Sequence, residues 1–248
     1  MLQSLRHEKI LRQLEMDHAV KVTELARNLN ISESTIRRDI AELDKAGKLR
    51  KVFGGAVPVL GGMVSTPTDV AERDQINTEE KERIAKYAAT LIEDDDFVYI
   101  DAGTTTYRMI DYLENNKATY VTNGIVNARM LVQKGFDVYM IGGILRPMTE
   151  AVVGPSAVEA LDKFNFTKCF MGTNGIDIRG GFSTPDINEA AMKTAAIQKS
   201  CTSFILADHT KFGLISSVTF AALDDAYIIT DRVEDPLYLK EARIKEIV

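Results

Sequence analysis

Ile31-Ser-Glu-Ser-Thr-Ile-Arg-Arg-Asp-Ile40 reads as a short turn feeding a helix that buries one face and turns paired arginines outward. Ile36, Ile40 and Leu43 recur at i, i+4 and i+7, which makes an apolar stripe. Arg37 and Arg38 lie off that stripe, and Ser32 suits the N-cap, where its hydroxyl can accept a free backbone N–H. Ser34 and Thr35 then occupy the first turn, from which a helix laid in a major groove reaches base edges or phosphates. Taken alone, the stretch also fits an ordinary amphipathic surface helix.

Its surroundings decide between the two. Val22, Leu25, Ala26 and Leu29 form a second stripe, predicting a helix over 23–28, and residues 30–32 are short enough to join the two as a helix-turn-helix. An earlier helix is expected over 5–14, with Leu5, Ile10, Leu11 and Leu14 turned inward. Gly47 suits a left-handed helix stop. Lys48-Leu-Arg-Lys-Val-Phe-Gly-Gly-Ala56 then alternates apolar and basic residues up to a Gly-Gly turn, as a wing hairpin would. Arg50 and Lys51 of that wing are placed to lie against phosphates. Three helices and a basic wing predict a winged helix-turn-helix over 1–57, with Ser34, Thr35, Arg37, Arg38, Arg50 and Lys51 as its contacts to double-stranded DNA.

Charge agrees. Residues 1–60 hold 11 Lys or Arg against 8 Asp or Glu, and six of those eleven cations fall between Arg37 and Lys51. The rest of the chain holds 19 against 28, so an acidic body stands behind a basic head. A hydrophobic content of 45% in 248 residues suffices for a small domain and a medium one. Cys169 and Cys201 both sit in apolar sequence and read as reduced core residues rather than a disulfide or a nucleophile. His7, His18 and His209 show no metal-site spacing, and no metal or cofactor is expected. No apolar run approaches 18 residues and no signal-peptide pattern opens the chain, so a cytoplasmic protein without membrane contact is expected.

A connector is expected over 58–77, where Pro58, Gly61, Gly62, Ser65, Thr66 and Pro67 interrupt any periodicity. From residue 78 to 248 short apolar strands alternate with helical patterns, beginning with a helix over 79–92 and the strand Phe97-Val-Tyr-Ile100. The fold class is therefore α/β, with a largely parallel sheet covered on both faces. In such sheets ligands bind beyond the carboxyl ends of the strands.

Polar loops stand at those ends. Asp101-Ala-Gly-Thr-Thr-Thr106 follows one strand and opens a helix: Gly103 permits close approach, and Thr104, Thr105 and Thr106 add hydroxyls to free N–H groups. This suits a phosphate monoester without a Walker lysine or a dinucleotide fingerprint; a plain capped helix start reads the same way. Asn123, Arg146, Asn174 and Asp208 with Lys211 occupy comparable loops. Glu189 and Lys193 stand four apart on one helix, either as site residues or as a surface ion pair worth only about 0.3–0.5 kcal/mol. Cations here would pair with phosphate, while Asp, Asn and Glu suit sugar hydroxyls.

These blocks together resemble the DeoR family of bacterial transcriptional regulators over about residues 3–232. The head matches through Thr35-Ile-Arg-Arg-Asp39 and Leu49-Arg-Lys-Val-Phe-Gly-Gly-Ala56. The body matches through Asp101-Ala-Gly-Thr-Thr-Thr106, Thr122-Asn123, Gly142-Gly143 with Arg146, Val153-Gly154, Gly175-Ile-Asp177, Glu189, Lys193, Asp208 and Lys211-Phe-Gly213. Phe53, Gly124 and Thr210 depart from the residues frequent there, His, Ser and Ser. The resemblance implies a repressor of a sugar-utilisation operon, assembled as a homodimer or homotetramer. It also implies a C-terminal domain that is similar in fold to ribose-5-phosphate isomerase and senses a phosphorylated sugar. The expected effector set is Asp101, Gly103, Thr104, Thr105, Thr106, Asn123, Arg146, Asn174, Glu189, Lys193, Asp208 and Lys211, with no catalytic residue. The alternative is a sugar-phosphate isomerase fused to a DNA-binding head, with Glu189 as general base and Lys193 or Lys211 stabilising an enediolate.

Overall fold

A computed structural model describes residues 3–17, 19–46, 48–57, 70–114 and 117–247. The stop expected at Gly47, His18 and connector residues 58–69 lie outside them.

The head comprises α1 (Gln3–Asp17), β1 (Val20–Lys21), α2 (Val22–Leu29), α3 (Glu33–Lys45), β2 (Arg50–Val52) and β3 (Gly55–Val57). Asn30 turns the chain between α2 and α3 in the left-handed region, and the Ser32 hydroxyl accepts the Thr35 N–H at 3.4 Å. The wing strands β2 and β3 pair antiparallel, and β1 joins the far side of β3. Gly55 is required there, because a Cβ would stand 2.1 Å from the Val20 carbonyl oxygen.

Ile10, Leu14, Leu25, Ile36, Ile40, Leu43 and Leu49 form the head's core. Leu5, expected inside, is 45% exposed. The stripe facing α3 runs instead through Arg6, Ile10 and Leu14 at i, i+4 and i+8. Arg6 reaches Asp39 in α3 through two hydrogen bonds of 2.7 Å. Burial pushes the Asp39 carboxyl up, but Arg6 and His7 outweigh it and hold that group below the usual carboxylate range.

The body contains α4 (Val70–Asp74), α5 (Thr78–Ala89), β4 (Phe97–Ile100), α6 (Thr104–Asp111), β5 (Thr119–Thr122), α7 (Ile125–Gln133) and β6 (Val138–Met140). A hairpin of β7 (Ile144–Leu145) and β8 (Val152–Val153) leads to α8 (Pro155–Leu161) and β9 (Phe166–Gly172). Next come β10 (Gly175–Asp177), β11 (Gly181–Thr184), α9 (Ile187–Gln198), β12 (Ser200–Leu206) and β13 (Val218–Ala221). The last elements are β14 (Tyr227–Thr230), α10 (Tyr238–Glu241) and β15 (Arg243–Glu246).

Seven strands form one sheet in the order β15-β14-β12-β9-β4-β5-β6, every pair parallel. Alternate residues serve opposite faces: Val98 and Ile100 pack with α5 and α6 residues, while Tyr99 packs with the α8 and α9 side. From β4 the chain builds outward to β5 and β6, then returns to β9 and builds the other way. The switch therefore lies between β4 and β9, where an open α/β sheet presents its ligand crevice.

Three features depart from expectation. The antiparallel sheet β10-β11-β13 interrupts the helix-strand alternation, and α4 is helical within the expected connector. Cys201 is exposed rather than in the core. It lies near the start of β12, and β14 begins pairing with β12 only at Phe204, so the strand's first residues lack a neighbour on that side.

Candidate DNA-reading face and ligand pocket

On the head, Ser34, Arg37, Arg38 and Lys51 are exposed and Thr35 is half-buried. The Ser34 and Thr35 hydroxyls stand 3.0 and 2.9 Å from the Ser32 hydroxyl. Arg37 pairs with Glu33 one turn back at 2.8 Å, both ends in solvent, a pair worth a few tenths of a kcal/mol. Its guanidinium is therefore cheaply redirected. Arg50 is placed differently: it turns to the body, where its Nη1 donates to Asp177 at 2.8 Å.

In the body, the loops after β4 and β9 and the segment after β12 converge on one cavity of about 70 Å³. Gly103, Thr104, Thr105, Asn174, Glu189, Lys193, Asp208 and Lys211 line it, as expected. A wider cleft of about 530 Å³ shares Ala102, Gly103 and Thr149 with it. Gly103 is the N-cap of α6, and no side chain caps the helix, so its first N–H groups face the cavity as anion donors.

The remaining four expected residues do not line the cavity: Asp101, Thr106 and Asn123 are buried behind the wall, and Arg146 is half-exposed. Thr106 is fully buried and donates its hydroxyl to Asp101 O at 2.6 Å. Asn123 accepts from Ala102 N–H at 3.0 Å and donates to Val152 O at 3.1 Å. Both hold the Asp101–Gly103 turn instead of facing a ligand. Arg146 pairs with Asp186 at 3.1 Å, on the N-cap of α9. Asp101 is buried and accepts from the Lys193 Nζ, so it positions that lysine.

The i,i+4 partners Glu189 and Lys193 do not pair with each other. Lys193 is 5% exposed and also donates to Gly172 O at 2.9 Å, whereas Glu189 accepts from the Thr184 hydroxyl at 3.3 Å. Asp208 accepts from Asn77 Nδ2 and Thr210 N–H, each at 3.0 Å. Burial raises its pKa, and the Lys211 charge with these donors more than reverses that, leaving the carboxyl ionised.

Sequence reasoning missed Arg73, Lys81 and Thr149, which also line the cavity. Lys81 is 4% exposed and donates to Arg73 O. Burial pulls its pKa down to about 8, against the pull of Asp208. Its signal was present: Lys81 stands three before Ile84, on the buried stripe of α5, where a lysine is rare in a mere scaffold. Arg73 Nε and Thr149 Oγ1 are closed off from solvent and have no hydrogen-bond partner among the described residues. With Lys193 and Lys211, the lining carries four cations against Glu189 and Asp208. Such a lining offers cations and N–H donors to an anion, and carboxylate and amide oxygens to hydroxyl groups.

Residues 6–59 match the DeoR-like helix-turn-helix domain and residues 76–232 the DeoR C terminal sensor domain. The chain is 41% identical over 236 residues to a Bacillus subtilis protein named as the uncharacterized HTH-type transcriptional regulator FruR, covering 95% of this chain and 93% of that one. It is 31% identical over 235 residues to the lactose phosphotransferase system repressor of Staphylococcus aureus, covering 93% and 92%. Among solved structures, it is similar to ribose 5-phosphate isomerase A of Methanocaldococcus jannaschii, with 14% identity, a TM-score of 0.42 and 55% of each chain covered.

Proposed function

The chain belongs to the DeoR family of transcriptional regulators, and from that premise we propose that it represses a sugar-utilisation operon under the control of a phosphorylated sugar. Membership makes it a DNA-binding regulator rather than an isomerase. Arg37 and Arg38, with Ser34 and Thr35, enter the major groove of operator DNA, and Lys51 steadies the wing on phosphates. The phosphoryl group sits against the α6 N-terminus at Gly103–Thr105, met by Lys81, Arg73 and Lys211. Asn174, Glu189 and Asp208 take sugar hydroxyls, and Asp101 holds Lys193 toward the same space.

The observation that carries this reading is the excess of cations in the lining, Lys81 and Lys193 buried and Arg73 and Lys211 half-buried, around an uncapped helix start at the sheet's switch point. The name of one relative, the lactose phosphotransferase system repressor, concerns a sugar, which supports the effector class. A homodimer or homotetramer is supported by the edge strand β6 and the adjoining β7, where Tyr139, Met140, Ile144 and Leu145 are exposed. The described residues contain no helix long and apolar enough to cross a membrane, which suits a regulator working on DNA in the cytoplasm.

A thermal-shift panel of aldose and ketose phosphates against the same sugars without phosphate tests the sensor. A phosphorylated sugar raises the melting temperature by mass action and its free sugar does not. Equal shifts from both, or none from any phosphate, would remove the phosphate assignment.

A further inference from the structure

The wing carries two adjacent cations, and only one of them faces outward. Lys51 is exposed, whereas Arg50 reaches across to β10 and donates Nη1 to Asp177 Oδ2 at 2.8 Å. The other oxygen of Asp177 accepts the Arg179 and Gly180 N–H groups, both at 2.9 Å, so the carboxylate is fixed before Arg50 arrives. The guanidinium also lies over Gly213, whose φ is +77°; a Cβ there would stand 3.4 Å from Nη2. Gly213 donates its N–H to Ile176 O at 2.8 Å and to Tyr238 Oη at 2.9 Å, which ties its segment to β10.

We propose that Arg50 and Asp177 form an autoinhibitory latch, in which the sensor domain withholds a wing arginine from the DNA backbone. The proposal rests on the reading of the head as a DNA-binding domain. Arg50 Nε is closed off from solvent and has no partner among the described residues, so the body satisfies the guanidinium only in part. A DNA phosphate offers bidentate geometry and full charge pairing, and can displace Asp177 once the wing swings free. The two anchoring segments also lead directly to the ligand pocket. Asn174 lines it three residues before Asp177, and Lys211 lines it two residues before Gly213. A ligand that grips Asn174 and Lys211 therefore acts on the peptide that holds Arg50, and it shifts the balance as far as it prefers one arrangement.

Phosphate contact carries no sequence information, so a labelled random-sequence duplex of about 30 base pairs suffices as probe. Fluorescence anisotropy would compare the full-length wild type, Asp177→Asn, Arg50→Ala and the double variant over a range of salt. Asparagine retains an oxygen for the Arg179 and Gly180 N–H groups, and unchanged melting temperatures confirm that all four proteins fold. Freeing Arg50 by Asp177→Asn is expected to tighten binding about three- to tenfold and to steepen the logarithmic salt slope by about 0.9, one phosphate contact. The double variant is expected to match Arg50→Ala, with the gain abolished. Wild-type affinity in Asp177→Asn overturns the latch, as does a gain that survives without Arg50, which would be a general effect of removing an anion. Absence of DNA binding by every protein, wild type included, at low salt would instead overturn the reading of the head.

Discussion

Lys193 donates its Nζ hydrogen to Asp101 at the end of β4, not to Glu189 one turn away on its own helix. The lysine thus crosses from α9 to the central strand and joins the two sides of the ligand pocket. Its partner is a buried carboxylate, and breaking a buried pair by removing one member costs about 3–5 kcal/mol. Lys193→Met is expected to lower stability to urea by that order and to abolish sugar-phosphate stabilisation. Glu189→Gln is expected to cost less than about 0.5 kcal/mol while still weakening the ligand. Equal small losses in both variants would contradict the buried Lys193–Asp101 pair.

Lys81 supplies a pH dependence. Its pKa is drawn down to about 8 from 10.5 by burial. Between those values the unfolded chain binds the extra proton, so the Lys81 contribution makes stability rise with pH across that window, and the penalty is fully present below it. Ligand binding runs the opposite way, because only the ammonium form attracts phosphate. Calorimetric affinity for a stabilising sugar phosphate is expected to fall above pH 8, by up to about tenfold per unit. Lys81→Met should bind more weakly at neutral pH and show a flat profile; an unchanged pH profile in that variant would exclude Lys81 from the phosphate site.

Arg37 and Arg38 carry specificity in the proposed complex; both are exposed, and the Glu33 partner of Arg37 is in solvent too. Replacing both by Ala is expected to leave the melting temperature within the spread of neutral surface changes, about ±0.5 kcal/mol. Specific binding to a duplex selected from a random pool should be lost in a gel-shift titration. Retention of wild-type affinity would place the reading face elsewhere.

Asp39, in the same helix, belongs to the scaffold. It is 1% exposed and holds Arg6 through two hydrogen bonds, which locks α1 onto α3. Asp39→Asn replaces the carboxylate that Arg6 grips by a neutral amide with one acceptor oxygen, and the head is expected to lose about 2 kcal/mol in chemical denaturation at pH 7. Because the folded carboxyl lies below its ordinary range, its stabilisation is full above the unfolded value and fades as pH falls through the folded one. The difference between wild type and variant should therefore shrink in acid; a constant difference across the acid range would contradict the ion-pair account.

The two domains were legible because each announces itself locally. The stripes through Ile36, Ile40 and Leu43 and through Val22 and Leu25 repeat at helical spacing, and strands such as Phe97–Ile100 are short apolar runs between polar loops. The antiparallel strands β10, β11 and β13 escaped because they are three or four residues long and pair across up to about forty residues of chain. Leu5 was misplaced because a helix stripe can be completed by a partly buried ion pair, and Arg6 took the place that hydrophobicity assigned to its neighbour.

The ligand site divides along the same line. Which loops carry small polar residues is written in the chain, and so is their position after strands. Those features follow from local backbone geometry and from the placement of strand ends in a parallel sheet. Whether a given side chain faces the cavity depends on rotamers and on contacts between residues as far apart as Asp101 and Lys193. Thus Thr104 and Thr105 line the pocket while Thr106 turns away to hold the Asp101 carbonyl. Composition, periodicity and charge by themselves determined a basic winged helix-turn-helix head on an acidic α/β body. Only tertiary packing decided that Lys81 and Arg73 join the pocket and that Arg50 faces Asp177, because long-range electrostatic pairing is set by three-dimensional proximity and not by spacing along the chain.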